Sequence, residues 1–417
     1  MLIEFRVKNY GCLRDEQVLS LVPVSNESAL LDNNTYETGV TAVPRLLRTA
    51  VIYGPNAGGK STVLRALQCM LAMVLFSANE IKEKEFPTPF LLDNISFAEP
   101  TAFEINFLHE GKRYQYGFSC QARCIMEGRL QKGQILQEYL LEYKSGRPTT
   151  LFKRSCNTEN DTESYTFGKT LRGHKTAWRD ATQNNVLFLS RAAQLNSEQL
   201  SSLYKNFFAS SFIFNKNTDI PKNLFLQKIK NDEKFKNNIV SFLQSADISL
   251  KDIHIKEKIE GHKDDTIKKH VSFIHSSQHG DVSLPDYVES GGTMKLFEHL
   301  LPLLLLALDQ GSLLAIDELD SSLHPLLVRR IVEIFQSPQT NPKGAQLIFT
   351  THDTSLLQDS EILFRRDQIW FVEKNAEQAS ELYSLAEFKA QKGEDFSLAY
   401  LQGLYGGIPL MRDWEAS

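Results

Sequence analysis

Eight residues, Gly54-Pro-Asn-Ala-Gly-Gly-Lys60-Ser61, constrain this chain more than any other stretch. They follow an apolar run at 46–53 (LLRTAVIY). They open a stretch, 61–76, in which Val63, Leu64, Leu67, Met70, Leu71, Val74 and Leu75 fall at helical spacing. A strand must therefore hand over to a helix through a turn containing Gly54, Gly58 and Gly59. Such a turn lets backbone N–H groups converge, and the helix N-terminus adds its partial positive charge. The pattern G-x-x-x-x-G-K-[ST] reads as a phosphate-binding loop made by Gly54, Pro55, Asn56, Ala57, Gly58, Gly59, Lys60, Ser61 and Thr62. The Lys60 ammonium would reach the β- and γ-phosphates of ATP, and the Ser61 hydroxyl would ligate Mg²⁺. The alternative is a plain glycine turn; the flanking strand and helix argue against it.

A second apolar strand, Ser312-Leu-Leu-Ala-Ile-Asp317-Glu318, ends in two acids. Burying that strand carries Asp317 to the carboxyl edge of the sheet, where ligands of such sheets bind. There Asp317 can hold Mg²⁺ through water, and Glu318 can polarise an attacking water. An acid pair at a strand end is common alone and gains meaning beside a phosphate loop. Three more elements complete the order. Glu289-Ser290-Gly291-Gly292-Thr293 precedes an apolar helix; Leu319-Asp320-Ser-Ser-Leu-His-Pro325 follows the acid pair; a strand at 347–350 leads into Thr351, His352 and Asp353. Pro302, twelve residues after Ser290, should kink or end its helix.

The 417 residues suffice for two or three domains of about 150 residues each. With 42% apolar and 23% charged residues, the chain falls outside the disordered and fibrous classes. Short strands are expected between 102 and 118, helix over 185–208, and helix in the first half of 222–270. A net charge of −5 speaks against a wholesale nucleic-acid coat, yet charge is uneven. Residues 111–179 hold 13 Lys/Arg against 6 Asp/Glu, and 222–270 hold 11 against 8. That basic middle is either a solvated face or a docking surface for nucleic acid or an acidic partner. The longest apolar stretch, 300–308, has nine residues where a membrane span needs about 20. The N-terminus alternates like a strand and lacks a signal-peptide pattern. Five cysteines without zinc spacing fit a reduced, cytoplasmic protein with no membrane partner.

Phosphate loop, Ser-Gly-Gly, acid pair, Asp320 run and histidine stand in an order that resembles the ABC-type ATPases. A sensor-arginine pattern of the ordinary AAA+ kind is not found. The resemblance implies an α/β fold: an ABC-type P-loop NTPase head with a mainly parallel sheet and an inserted α+β or helical subdomain. The expected division is 1–76 and 285–417 for the two lobes of the head, with 77–284 between them. Each nucleotide would be sandwiched between the phosphate loop of one subunit and Ser290, Gly291 and Gly292 of another, making a homodimer or higher homo-oligomer. Asp320 would sit in the D-loop, and His352 would touch the γ-phosphate beside Lys60 and the base Glu318. The signature departs from the family pattern, reading E-S-G-G-T without a leading Leu or trailing Gln.

Finer likeness lies in I-E-F-R-V-K-N-Y at the start, E-S-G-G-T-M-K-L-F, I-D-E-L-D-S-S-L-H-P, T-T-H-D and the closing Y-L-Q-G-L-Y-G-G-I-P at 400–409. These resemble the bacterial AAA-15/AAA-21 group, the branch shared by overcoming-lysogenization-defect (OLD) proteins and RloA- or AbiL-like phage-resistance ATPases. No long heptad pattern occupies the 229 residues between Lys60 and Ser290, so chromosome-maintenance heads fit poorly. The 65 residues after His352 are too few for the Toprim nuclease of full OLD proteins. The resemblance therefore implies an ATP-hydrolysing sensor or regulator of antiphage defence, sensing a phage component and acting through a separately encoded effector. A DNA-maintenance ATPase holding nucleic acid through the basic middle is the alternative. A transporter subunit ranks third.

Overall fold

The alternating N-terminal residues form the strand Leu2–Lys8, with Leu2, Phe5 and Val7 buried and Lys8 exposed. The structure, a computed structural model, describes all residues except 26, 80–85, 122–123, 127–128, 132, 145, 158–161, 215–221, 261–265, 322, 359–361, 390–393 and 410–417. Ser322 of the run after the acid pair, and parts of the basic middle, lie outside the described residues. Strand Leu2–Lys8 pairs antiparallel with Gln17–Ser20 on one side and Thr101–His109 on the other. The seven-stranded sheet continues through Lys112–Gln121, Gln134–Lys144, Arg147–Asn157 and Thr162–Phe167, antiparallel throughout. One face contributes Phe103, Ile105, Phe107, Phe118, Leu140 and Phe152 to a core shared with Leu64, Leu67, Met70 and Val74 of the helix Lys60–Phe76. Phe107 stacks on Phe207 with ring centroids 4.1 Å apart.

A second sheet has the order Phe212–Phe214, Leu313–Ile316, Gln346–Thr350, Thr49–Tyr53, Ile369–Lys374, Ser380–Ser384. The first five strands run parallel and the last is antiparallel. Thr49–Tyr53, Leu313–Ile316 and Gln346–Thr350 are buried at every position. Covering both faces is what makes such strands read as unbroken apolar runs.

Contacts group the chain into two compact units: residues 1–215, 307–320 and 328–417, and residues 216–306 and 321–327. This grouping differs from a division at 76/77 and 284/285, because 77–215 fall in the same unit as the phosphate loop. The second unit carries the helices Lys222–Asn231 and Glu233–Ser245 and an antiparallel sheet of Asp252–Glu260, Thr266–Ser277 and Gly280–Pro285. Phe225 and Phe273 pack on Phe297 there.

Of the two outcomes expected at Pro302, the helix does not end there; the irregularity falls in the turn just before it. The turn at Leu296–Leu300 is widened, so that the Leu301 N–H bonds five residues back to the Leu296 carbonyl. Helix then resumes over Leu301–Gln310. A widened turn absorbs both the donor that proline lacks and the bulk of its ring. Helices over Lys60–Asn79 and Gly291–Gln310 are long and apolar enough to cross a membrane by length and composition. The apolar side of the first belongs to the core just described, which accounts for its composition.

One charge lies deep in that core. Glu138, on Gln134–Lys144, is fully buried. Its carboxylate accepts from the backbone N–H groups of Phe188 (2.6 Å) and Leu189 (3.0 Å) and from the Tyr116 hydroxyl (3.0 Å). Arg154, also buried, stands 3.9 Å away and donates to Glu163 and to the Val186 and Gln183 carbonyls. The basic middle therefore spends part of its charge internally. Lys112 and Lys144 likewise pair with Glu142.

Candidate nucleotide site

Strand Thr49–Tyr53 delivers the chain to the turn at 54–59, and the helix Lys60–Phe76 begins directly after it. Gly54 has φ +153°, and a Cβ there would lie 2.3 Å from the Val372 carbonyl oxygen, so only glycine fits. The turn is braced from within and from the neighbouring hairpin. The Gly58 N–H donates to the Pro55 carbonyl (3.0 Å), and the Ser380 hydroxyl donates to the Gly58 carbonyl (2.7 Å). Asn56 and Ala57 form the exposed crest, with Ala57 at φ +60°.

The Lys60 side chain folds back over this turn. Its ammonium donates to the carbonyls of Gly54 (2.8 Å) and Pro55 (3.2 Å). Burial lowers its pKa, while the carboxylates of Asp317, Glu318 and Asp320 act in the opposite direction. Those three acids arrive from the end of the parallel strand Leu313–Ile316. The Ser61 hydroxyl donates to Asp317 Oδ1 at 3.0 Å, and the Thr350 hydroxyl donates to the same oxygen at 2.8 Å. Thr350 Oγ1 in turn accepts from the Glu318 N–H at 2.7 Å. Glu318 adopts φ +54°, a conformation that costs a non-glycine residue energy and persists only where neighbours impose it. Here the neighbours are Thr350 on one side and the Leu319 N–H bond to the Thr350 carbonyl on the other.

His352 follows the strand Gln346–Thr350, and its backbone N–H donates to Asp320 Oδ2 at 3.3 Å. Its imidazole has a lowered pKa, first from desolvation and next from the Lys60 cation, against the pull of Asp320, Glu318 and Asp317. The Tyr53 hydroxyl donates to the Asp353 carbonyl at 3.0 Å. Among the described residues, Asp320 Oδ1 and Asp353 Oδ2 are buried without a hydrogen-bond partner. Hydroxyl and carboxylate oxygens are the donors a hard divalent cation such as Mg²⁺ takes, so Ser61 and Asp317 fit that role.

Lys60, Ser61, Asp317, Glu318, Asp320 and His352 thus converge, although up to 292 positions separate them in sequence. Thr62 stands on the first turn of the helix, where its hydroxyl accepts from Arg65 at 3.4 Å. Ser290, Gly291 and Gly292 belong to the other compact unit. Ser290 caps the helix that begins at Gly291, its hydroxyl accepting from the Thr293 N–H at 3.1 Å. Glu289 beside it meets His275 Nε2 at 2.7 Å, and Lys295 one turn on donates to the Ser321 carbonyl at 2.7 Å. Thr350 escaped the sequence reading. Its signal is a hydroxyl at the end of the strand adjoining the acid pair, two places before the histidine.

The α/β fold and the phosphate-loop geometry define a P-loop ATPase-type domain. Residues 50–358 match the family described as "AAA domain, putative AbiEii toxin, Type IV TA system", and the chain belongs to that family. Membership implies ATPase activity, nucleotide binding and the accompanying Mg²⁺. No curated protein is similar enough to this chain to count as a match.

Proposed function

We propose that the chain is an ATP-hydrolysing head of ABC type that regulates an antiphage response in the bacterial cytoplasm through a separately encoded effector. The observation that carries the chemical part is the Ser61–Asp317–Thr350–Glu318 chain of hydrogen bonds beside the Lys60 ammonium. The loop 54–62 would cradle the phosphates with backbone N–H groups. Lys60 would exchange the Gly54 and Pro55 carbonyls for phosphate oxygens. Ser61 and Asp317 would hold Mg²⁺, which offsets phosphate charge when bound. Thr350 fixes Asp317 and the backbone of Glu318 together, so the Glu318 carboxylate has a defined origin from which to act as general base.

Ser290, Gly291 and Gly292 open a helix and so offer N–H groups and a favourable dipole to the γ-phosphate of a nucleotide held by a second copy. His352 and Asp320 would complete the site from the side of the phosphate loop. The biological half of the reading rests on the family's link with toxin–antitoxin systems and on the likeness to RloA- and OLD-type proteins. A RloA-like subtype, without the Toprim nuclease of full OLD proteins, would leave the toxic or nucleolytic activity to a partner protein.

The test pairs two purified variants with phage plating. Lys60→Ala should lose ATP binding and turnover; Glu318→Gln should keep binding and slow hydrolysis by about 10²–10⁴. Both should abolish any protection against phage that the wild-type chain confers when expressed with its neighbouring reading frames. Near wild-type turnover in Lys60→Ala would sink the site. Full protection with both variants would show that any defence role does not run through this ATPase site, and no protection by the wild-type chain would sink the defence role itself.

A further inference from the structure

The hairpin of Ile369–Lys374 and Ser380–Ser384 stands against the phosphate loop at both ends of the loop. At Gly54 the Val372 carbonyl leaves no room for a side chain, and at Gly59 a Cβ would lie 2.6 Å from the Ser380 hydroxyl. Ser380 is 1% exposed and sits opposite Lys374 in the hairpin register. Two hydrogen bonds fix it. Its N–H donates to the Cys12 carbonyl at 2.7 Å, and its hydroxyl donates to the Gly58 carbonyl at 2.7 Å. The turn before it is closed by the Asn375 N–H on the Ala379 carbonyl at 2.8 Å, and Glu377 in that turn pairs with Arg14. Two residues further on, the Leu382 N–H donates to Gln17 Oε1 at 2.7 Å. The Ser380 hydroxyl thus reaches the loop from a frame tied at three points to the N-terminal segment.

We propose that Ser380 is a positioning residue of the nucleotide site, holding the Gly58–Gly59 peptide so that its N–H is presented to the bound phosphates. The inference rests on the nucleotide site proposed above. In a trans peptide the carbonyl and the N–H point in opposite directions. Capturing the Gly58 oxygen on the hairpin side therefore directs the Gly59 N–H away from the hairpin, where an anion can take it. The same peptide turned over would present a carbonyl oxygen to that anion and repel it. Both residues of this peptide are glycines, which leave it free to turn, so its orientation has to come from outside the loop. The Lys60 ammonium gives up the Gly54 and Pro55 carbonyls when it turns to phosphate, whereas the Ser380 bond stays. Gly58 and Ser380 are both buried, so loss of the hydroxyl leaves a carbonyl with no water to replace it.

Ser380→Ala removes the hydroxyl, and Ser384→Ala serves as the comparison. Ser384 is a buried serine of the same strand whose hydroxyl serves the Ala386 N–H, at 3.2 Å, rather than the loop. Two equilibrium measurements on the full chain with Mg²⁺ read the effect. One is binding of a fluorescent ATP analogue; the other is its displacement by inorganic pyrophosphate, which engages the loop without a base or ribose. Ser380→Ala should weaken both ligands by about fivefold. Ser384→Ala should leave both affinities within twofold of wild type, although each variant lowers the thermal midpoint. Equal affinities in wild type and Ser380→Ala, or equal losses in both variants, would overturn the assignment. So would weaker binding of the ATP analogue with pyrophosphate unchanged. Should Ser380→Ala not fold, Ser380→Cys puts a weak donor in the same place. Weaker binding of both ligands there supports the proposal and unchanged binding refutes it. If wild type itself binds neither ligand, the underlying site fails, and the inference with it.

Discussion

At the level of single residues, His352 is the group whose charge reports most directly on the site. Desolvation and the Lys60 ammonium both lower its pKa, so the imidazole is neutral at neutral pH and offers one donor and one acceptor. Replacing Lys60 by alanine removes one of those two causes. The His352 titration midpoint, followed by NMR of the imidazole, should therefore rise in Lys60→Ala; an unchanged or lower midpoint would contradict the contact. The linkage has a definite sign. The unfolded chain takes up this proton more readily than the folded one, so the His352 contribution to stability declines as pH falls through the ordinary histidine range. The decline ends below the folded midpoint. Sequence reading found Lys60, Ser61, Asp317, Glu318 and His352 because each sits in a short motif with its own spacing. Thr350 lies in T-T-H-D, which the sequence offered only as likeness; its role comes from the contact with Asp317, 33 positions away, which no local spacing encodes.

Among the elements, the parallel strands were the most legible. Thr49–Tyr53, Leu313–Ile316 and Gln346–Thr350 are covered on both faces, so their composition alone marks them. The seven-stranded antiparallel sheet was visible only in pieces. Its order depends on Leu2–Lys8 finding Thr101–His109 about a hundred residues later, a pairing that no local pattern encodes. Glu138 was invisible for a related reason. Within Gln134–Lys144 it is one polar residue among several, and its burial follows from the helix Phe188–Gln194 whose N–H groups it accepts. Burial raises its pKa, opposed by Arg154 and by those hydrogen bonds. Glu138→Ala would leave Arg154 buried with one carboxylate fewer and strand three donors. It should cost about 3–5 kcal/mol in reversible chemical unfolding. A loss below about 1 kcal/mol would mean that Arg154 is satisfied by Glu163 and the backbone carbonyls alone.

For the whole molecule, the central claim is that two copies complete each nucleotide site, with Ser290 of one copy acting on the nucleotide held by Lys60 of the other. One chain supplies one phosphate loop and one Ser-Gly-Gly helix start, carried by different compact units. A γ-phosphate left open to water would weaken every electrostatic contact made to it, and a symmetric pair closes two sites at once. ATP should then favour association, and hydrolysis should release it. Lys60→Ala and Ser290→Arg, each inactive alone, decide the matter when mixed. In a mixed pair, one composite site joins the intact phosphate loop of the Ser290→Arg chain to the intact Ser290 of the Lys60→Ala chain. The account predicts recovery of part of the wild-type ATPase rate in such mixtures. No recovery, in samples shown by mass to contain the mixed pair, would contradict it.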